Sequence, residues 1–403
     1  MNNTKVISGN SKVVRSINRA MILNIIREQQ PISRVKISRL TGLNKSTVSS
    51  IVTDLLSEDM VFEDLKSRED QNVGRNPVDL YLKLGTHLVG AINIDSSVTR
   101  FAIADINGSI LKTSSITTNP EKPQKFIERC LNEIKSLSNS LNIKSLEGLG
   151  LSIAGIVDSK NLKVNFAPNL GWEDFNIGQV IKNNLPNVRT VAIENDAKCS
   201  ALAELWYGKH TVDLSNFVFL SIGPGIGSGI VVGNQILDGE FHAAGEFGHM
   251  SLYENGIDCR CGNRGCWEAY ASDIATINRY ISKSGTKISR TVDSMFKYIF
   301  KQAYEYNETA AIETLKETGY YLGVGIANII KAIDPHVIII GGKITQAWDI
   351  IHPQIMEAVM SRAFFKKEND IHILPSSLEA RPRLLGAATL AIKEIFDDYK
   401  IIN

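Results

Sequence analysis

Residues 245–268 read GEFGHMSLYENGIDCRCGNRGCWE. The stretch holds one imidazole, His249, and three thiols, Cys259, Cys261 and Cys266, in the spacing His-(x9)-Cys-x-Cys-(x4)-Cys. An imidazole and three thiolates make a closed tetrahedral zinc site with no position left for water, so the metal is expected to be structural. Gly262 and Gly265 fall where a tight knuckle needs unusual backbone angles. His242 is the rival for the fourth ligand position. The chain has five cysteines, an odd number, and Cys130 and Cys199 stand apart from the cluster. In a cytosolic chain such a cluster points to metal rather than disulfides. No apolar run of about 18 residues is present, and the N-terminal stretch lacks the apolar core of a signal peptide. The expectation is a soluble cytoplasmic chain without membrane insertion.

Working outward, the segment sits inside an α/β pattern. Strands are expected at His87–Asp95, Thr99–Asp105, Ser109–Thr117, Leu149–Ala154, Thr190–Glu194 and His336–Ile340, with a hairpin-rich stretch over Phe217–Ile236. Asn107-Gly108 reads as a two-residue hairpin turn. Helices are expected over about Lys125–Leu141, Ala197–Tyr207, Ala310–Ala332 and Leu384–Tyr399. This order, with glycine turns after strands, predicts two α/β lobes around a cleft. Glu194-Asn195-Asp196 closes a strand and opens a helix, and Glu246 and Glu268 flank the metal ligands. Carboxylates and an amide brought together suit a sugar, whose hydroxyls each donate and accept. Zinc would hold the segments carrying Glu246 and Glu268 at a fixed separation. The run Ser221-Ile222-Gly223-Pro224-Gly225-Ile226-Gly227-Ser228-Gly229 would let backbone N–H groups approach a phosphate or a sugar.

The N-terminal segment differs in kind. Residues 1–52 carry nine Lys or Arg against one acid, Glu28, a net +8 in a chain whose total is +1. A basic head on a mildly acidic body suits a polyanion partner, or else is a solvated face. Its pattern predicts a first helix from about Val13 to Gln29, with apolar Ile17, Met21, Ile22, Ile25 and Ile26, stopped by Pro31. Ser33 would cap a second helix, Arg34–Thr41, closed by Gly42. Asn44 would cap a third, Lys45 to about Asp59, with Val48, Ile51 or Val52, Leu55 and Leu56 inward. Two strands, 60–64 and 78–84, would flank a loop with Gly74-Arg75-Asn76-Pro77. Helix, turn, helix and wing together make a winged helix-turn-helix over residues 1–85. Arg34, Asn44, Lys45, Ser46, Thr47, Ser49, Ser50 and, at the wing tip, Arg75 are its candidate DNA contacts. Residues 86–403 form the sensing domain, with the zinc site at 249–266.

At these residues the chain resembles the ROK family (repressors, open reading frames and kinases), in its winged-helix repressor branch. The likeness covers roughly residues 12–398. It is carried by Gly245–His249 through Cys259, Cys261 and Cys266 to Glu268, by Glu194-Asn195-Asp196-Ala197, by Ala167-Pro168-Asn169-Leu170-Gly171-Trp172 and by Gly341-Gly342. The resemblance implies an actin-like, two-lobed sugar-kinase fold. It also implies sugar contacts from Asn169, Asn195, Asp196, Glu246, His249 and Glu268. His249 would serve zinc and sugar through its two ring nitrogens. In the family's kinases the residue matching Asp196 is the general base; here it is expected only to accept a hydrogen bond. The reason is a departure at the first strand turn. Where ROK kinases resemble Asp-Gly-Gly-Thr, this chain has Asp95-Ser96-Ser97-Val98-Thr99. Side chains there keep the backbone from closing on ATP phosphates.

The expected function is therefore a sugar-responsive repressor and not an enzyme. Its partners would be operator DNA, an effector sugar (xylose or another aldose) and a second copy of itself in a homodimer or homotetramer. The alternatives are a sugar kinase carrying a DNA-binding module, and a module that recruits a protein rather than a sugar.

Overall fold

The computed structural model describes residues 11–64, 78–286, 291–362, 364, 372–378 and 381–397, with side chains from residue 14 onward. The chain divides into two compact units. The first comprises Met1–Ile153, Ser159–Glu194 and Ala387–Asn403, the second Ala154–Asp158 and Asn195–Gly386.

The first unit opens with α1 (Ser11–Gln29), β1 (Ile32–Ser33), α2 (Arg34–Thr41), α3 (Lys45–Ser57), β2 (Val61–Asp64) and β3 (Asp79–Leu82). The expected caps are in place. Ser33 Oγ accepts from Lys36 N at 3.4 Å and Asn44 Oδ1 from Thr47 N at 2.8 Å, while Gly42 closes α2 in the left-handed region at φ 70°. Ile22, Leu23, Ile26, Ile37, Val48, Ile51, Val52, Leu55, Leu80 and Leu82 form the buried core of this head. Two expectations shift. Ile17 and Met21 point outward, 57% and 38% exposed, because Ile22, Leu23 and Ile26 make the inward stripe. Helix α3 ends at Ser57, since Asp59 takes φ 59°. The wing strands form a three-stranded sheet in the order β1-β3-β2, whose first member was not anticipated. The wing tip with Arg75 lies outside the described residues.

An α/β layer follows, with β4 (Val89–Ile94), β5 (Val98–Ala104), β6 (Ile110–Thr117), α4 (Pro123–Ser140) and β7 (Gly148–Ile153). After β8 (Ile156–Asp158), which belongs to the second unit, come β9 (Lys163–Ala167), β10 (Trp172–Asn176), α5 (Ile177–Asn184) and β11 (Thr190–Asn195). The main sheet runs β11-β7-β4-β5-β6. Strands β4 and β7 pair in parallel and are buried throughout, as strands covered on both faces should be. The β5–β6 turn is not a two-residue one. Asp105 Oδ1 accepts from Asn107 N and Ser109 N, each at 3.0 Å, so the loop widens to Asp105–Ser109 and the register shifts at Ala104.

The second unit contains α6 (Asp196–Tyr207), β12 (Phe217–Ile222), β13 (Ile226–Val232), β14 (Gln235–Ile236), α7 (Glu268–Ala271), α8 (Asp273–Ser284), α9 (Val292–Tyr304) and α10 (Thr309–Ile333). Then follow β15 (Val337–Gly341), α11 (Trp348–Met360), β16 (His372–Pro375) and α12 (Pro382–Asp397). Its sheet runs β14-β13-β12-β15-β16, with β12, β15 and β16 parallel. Val218, Leu220, Ile338 and Ile340 pack with Leu322, Ile326 and the buried Trp267 in one core. Trp267 thus anchors the end of the cysteine-rich segment: its Nε1 donates to Tyr321 O at 2.8 Å.

Candidate metal centre and ligand site

The knuckle is built by short-range hydrogen bonds. Cys259 N donates to Asn263 O at 2.8 Å, Gly262 N to Cys259 O at 3.0 Å and Gly265 N to Ile257 O at 2.8 Å. Gly265 takes φ 71°, and a Cβ there would lie 1.7 Å from Tyr253 O, so only glycine lets the loop fold back before Cys266. Tyr270 accepts from Ile257 N at 2.9 Å and fixes the outer strand of the knuckle.

The ligand atoms of His249, Cys259, Cys261 and Cys266 lie within 4.8 Å of one another. Sγ of Cys261 and Cys266 are 3.6 Å apart, and His249 Nδ1 is 3.8 Å from Cys259 Sγ. A tetrahedral zinc with Zn–S near 2.3 Å would set its ligand atoms roughly 3.8 Å apart. Donor set and spacing therefore fit such an ion. Cys266 is buried, Cys259 half-buried and Cys261 exposed. His242, the rival ligand, is engaged elsewhere: its Nδ1 is 2.5 Å from Asp238 Oδ2 and its Nε2 3.6 Å from Asp158 Oδ1.

Beside the knuckle lies the acidic group. Strand β11 ends at Asn195, whose Oδ1 caps α6 by accepting from Ala197 N at 2.8 Å and Lys198 N at 3.2 Å. Its Nδ2 donates to Gly155 O at 2.9 Å, so Asn195 shapes the strand–helix joint with both ends of its side chain. Asp196 opens the helix, where the N-terminal end of the helix dipole favours a carboxylate. Glu246 keeps an open face, yet burial pushes its carboxyl above the usual range; the His249 charge opposes this and Asp196 adds to it. Asp196, Glu246, His249 and Glu268 thus share one electrostatic neighbourhood.

Glu268 joins three parts. Its Oε1 lies 3.3 Å from Cys259 Sγ and 3.9 Å from His249 Nδ1, and its Oε2 accepts from Ile226 N at 3.2 Å. Asn169 lies apart in sequence and in unit, exposed in the turn between β9 and β10 of the first unit.

Part of the glycine run between β12 and β13 serves packing. A Cβ on Gly229 would sit 2.6 Å from Ala201 Cβ and 2.9 Å from Ala197 O, so this glycine lets α6 lie close against β13. Only Gly223-Pro224-Gly225 forms a turn. At the other turn, Ser96 Oγ donates to Asp95 Oδ1 at 3.2 Å, and Thr118 N donates to Ser97 O at 3.0 Å.

On the head, Asn44, Lys45, Ser46 and Ser50 are exposed and Thr47 and Ser49 half-buried along one side of α3. Ser50 Oγ accepts from Arg15 Nη2 at 3.0 Å. Arg34 pairs with Glu63 at 2.8 Å, which ties α2 to the wing and balances its charge. Lys36 and Arg39, passed over in the sequence reading, are exposed on α2. Among the described residues neither they nor Lys45 has an acidic partner.

A family model described as the ROK family matches residues 89–394. The chain belongs to the ROK family. A xylose repressor of Bacillus spizizenii is 32% identical over 393 residues, covering 96% of this chain and 98% of the relative. A solved ROK family transcriptional regulator, a homologue of the Escherichia coli MLC protein, superposes with a TM-score of 0.80 at 24% identity over 96% of this chain and 97% of that one. A ROK glucokinase from Streptomyces griseus, solved with glucose and AMPPNP, gives 0.66 at 26% identity, over 75% of this chain and 99% of that one. The quarter of the chain outside the kinase likeness leaves room for the winged head, which the regulator shares in fold.

In this ROK chain the sequence reading missed three groups at the site. Lys198 is buried and donates to Asp238 Oδ1 at 2.6 Å and His242 O at 3.1 Å, bracing the segment that leads to Glu246. Asp273 is buried at the start of α8, and its Oδ1 has no hydrogen-bond partner. Burial raises its carboxyl to about 7 against the pull of Lys343 and Arg383. Arg383, in the first turn of α12, pairs with Asp196 at 3.2 Å. Lys198 directly follows the Glu194–Ala197 motif, but each of the three acquires its role from long-range contacts.

Proposed function

We propose that this chain is a sugar-responsive transcriptional repressor that senses an aldose and does not phosphorylate it. The observation that carries the reading is the match along nearly the whole chain, head included, to a relative named as a xylose repressor. That likeness also makes xylose the first sugar to test. Asp196, Glu246 and Glu268 would accept hydrogen bonds from sugar hydroxyls, with Asn195 and Asn169 as further amide contacts. His249, Cys259, Cys261 and Cys266 would hold one structural zinc per chain, and His249 would turn its second ring nitrogen to the sugar. The metal supplies rigidity: it fixes Glu246 and Glu268 on either side of the knuckle.

The head would place the first turns of α3 in a major groove, with Lys45, Ser46, Thr47, Ser49 and Ser50 near bases and phosphates and Arg75 reaching a minor groove. A dimer or tetramer would present two heads to half-sites spaced by whole helical turns of about 34 Å. Sugar lowers operator affinity only if it binds the DNA-competent and released states unequally. The protein would act in the cytoplasm.

The test is calorimetry of zinc-loaded protein against xylose, glucose and N-acetylglucosamine, with an ATP-dependent phosphorylation assay in parallel. An operator is selected from random duplexes with the same protein. Binding of one sugar, no phosphate transfer, and release of the selected duplex by that sugar are expected. The likeness to a glucokinase favours a second reading, an active kinase. Phosphate transfer would establish it and overturn the sensor.

A further inference from the structure

We infer that Arg383 is a positioning residue of the sugar site: it aims the Asp196 carboxylate as a hydrogen-bond acceptor and ties it to the turn after β12. This rests on the proposed role of Asp196 in sugar binding.

The geometry follows from one helix crossing. A Cβ on Gly386 would lie 2.0 Å from Cys199 O, so only a glycine lets α12 touch the backbone of α6 at that point. Three residues earlier on both helices, one turn before the crossing, stand Arg383 and Asp196. Arg383 Nε lies 3.2 Å from Asp196 Oδ2. Its Nη2 donates to Ser221 Oγ at 2.9 Å, at the end of β12, and lies 3.4 Å from the position a Cβ on Gly223 would take. The guanidinium therefore spans the start of α6 and the glycine turn. The two side chains are 24% and 13% exposed, so the pair is only partly screened by water.

Asp196 and Glu246 repel each other, and Glu246 also feels the charges of Glu268, His249 and Lys198, the last of which lies two residues on from Asp196 along α6. The Arg383 cation offsets that repulsion and fixes the direction in which the Asp196 carboxylate presents its free lone pairs. An arginine-paired carboxylate is also a poor proton acceptor, so the same contact favours recognition of a hydroxyl over its deprotonation. Arginine suits this task because its planar fork binds two partners in fixed directions, here Asp196 and Ser221.

The test compares sugar affinity by calorimetry in zinc-loaded full-length protein carrying Arg383→Gln, Arg383→Lys, Asp196→Asn or the Asp196→Asn/Arg383→Gln pair, using whichever of xylose, glucose or N-acetylglucosamine the unaltered protein binds. Removing one partner of a partly buried charge pair should weaken sugar binding by about tenfold or more in Arg383→Gln. Arg383→Lys, which keeps the charge, should recover most of the loss. In the Asp196→Asn background, the Gln substitution should cost less than about twofold, because the group it acts on has lost its charge. An Arg383→Gln protein that binds like the unaltered one would overturn the inference. So would an equal loss with and without the Asp196 charge, the mark of a merely structural role. Should Arg383→Gln not fold, Arg383→Met in both backgrounds, which keeps the aliphatic stem and removes the charge, decides the same point. If the unaltered protein binds none of the three sugars, the sugar-sensor reading fails and takes this inference with it.

Discussion

Cys261 is the exposed member of the four candidate ligands, so serine there removes a thiol with little loss of packing. Cys261→Ser should release the metal, measured as zinc per chain. Sugar affinity should fall by about tenfold or more, because Glu246 and Glu268 lose their fixed separation. DNA binding by the head should persist; loss of both activities together would mean that the knuckle stabilises the whole chain and does not tune one site. Asp273 makes a different prediction. Its folded pKa of about 7 lies above the usual carboxylate value, so the unfolded chain is the better acid. Between those two values, and up to neutrality, rising pH charges the carboxyl in the unfolded chain first, and stability falls. The loss is roughly 1.4 kcal/mol for each unit of the raised pKa, and is complete above pH 7. Asp273→Asn, which stays neutral, should remove that slope from denaturant-unfolding curves taken from pH 4 to 8. Equal slopes in both proteins would mean that Asp273 is charged at neutral pH in the folded state, held so by Lys343 and Arg383.

Helix α3 tests the head as an element. Lys45→Ala should weaken binding of a selected duplex and reduce the salt dependence of log affinity by about 0.9, the mark of one lost phosphate contact. Asn44→Ala should instead cost about 1 kcal/mol of head stability by removing the cap on Thr47 N. If Lys45→Ala leaves both affinity and slope unchanged, α3 is not the element that meets DNA. How far such elements can be read from sequence depends on how local their signals are. Ser33, Gly42 and Asn44 act within four residues, and α2 and the start of α3 fall where those residues put them. The knuckle is equally local, and its four candidate ligands come together as their spacing implies. Helix α11 was not seen because Pro353, a residue that usually ends helices, lies inside it. Strand β1 is two residues long and shows no alternation. The glycine run does not declare its role in sequence, because close packing of α6 on β13 selects glycine as strongly as phosphate contact does. Arg383 was invisible because only the α6–α12 crossing brings it to Asp196.

At the scale of the whole molecule, repression needs the sugar site and the head to sense each other, and the first unit shows one connection the head makes. His87, between wing and sheet, has its Nε2 2.8 Å from Glu58 O at the end of α3 and its Nδ1 2.5 Å from Glu147 Oε1 at the start of β7. The bond to Glu147 raises the His87 pKa against the effect of burial, so the imidazole favours its charged, doubly donating form. Thr86 Oγ1 donates to Asp59 O at 3.1 Å, and Gly85 N donates to Asp105 Oδ2 at 3.4 Å. The linker is thus bonded on one side to the end of α3 and on the other to the sheet. His87→Ala removes both imidazole bonds without touching either proposed binding site. Sugar affinity of the free protein and operator affinity of the sugar-free protein should each stay within about twofold, while the factor by which sugar lowers operator affinity shrinks. Linkage supplies an independent check. Couplings of this kind are about 5- to 150-fold, and operator DNA must weaken sugar binding by the same factor by which sugar weakens operator binding. Both factors should fall together in His87→Ala. If they stay at the unaltered protein's value, the signal reaches α3 by another route; if sugar affinity itself collapses, His87 supports the sensor fold and does not carry the signal.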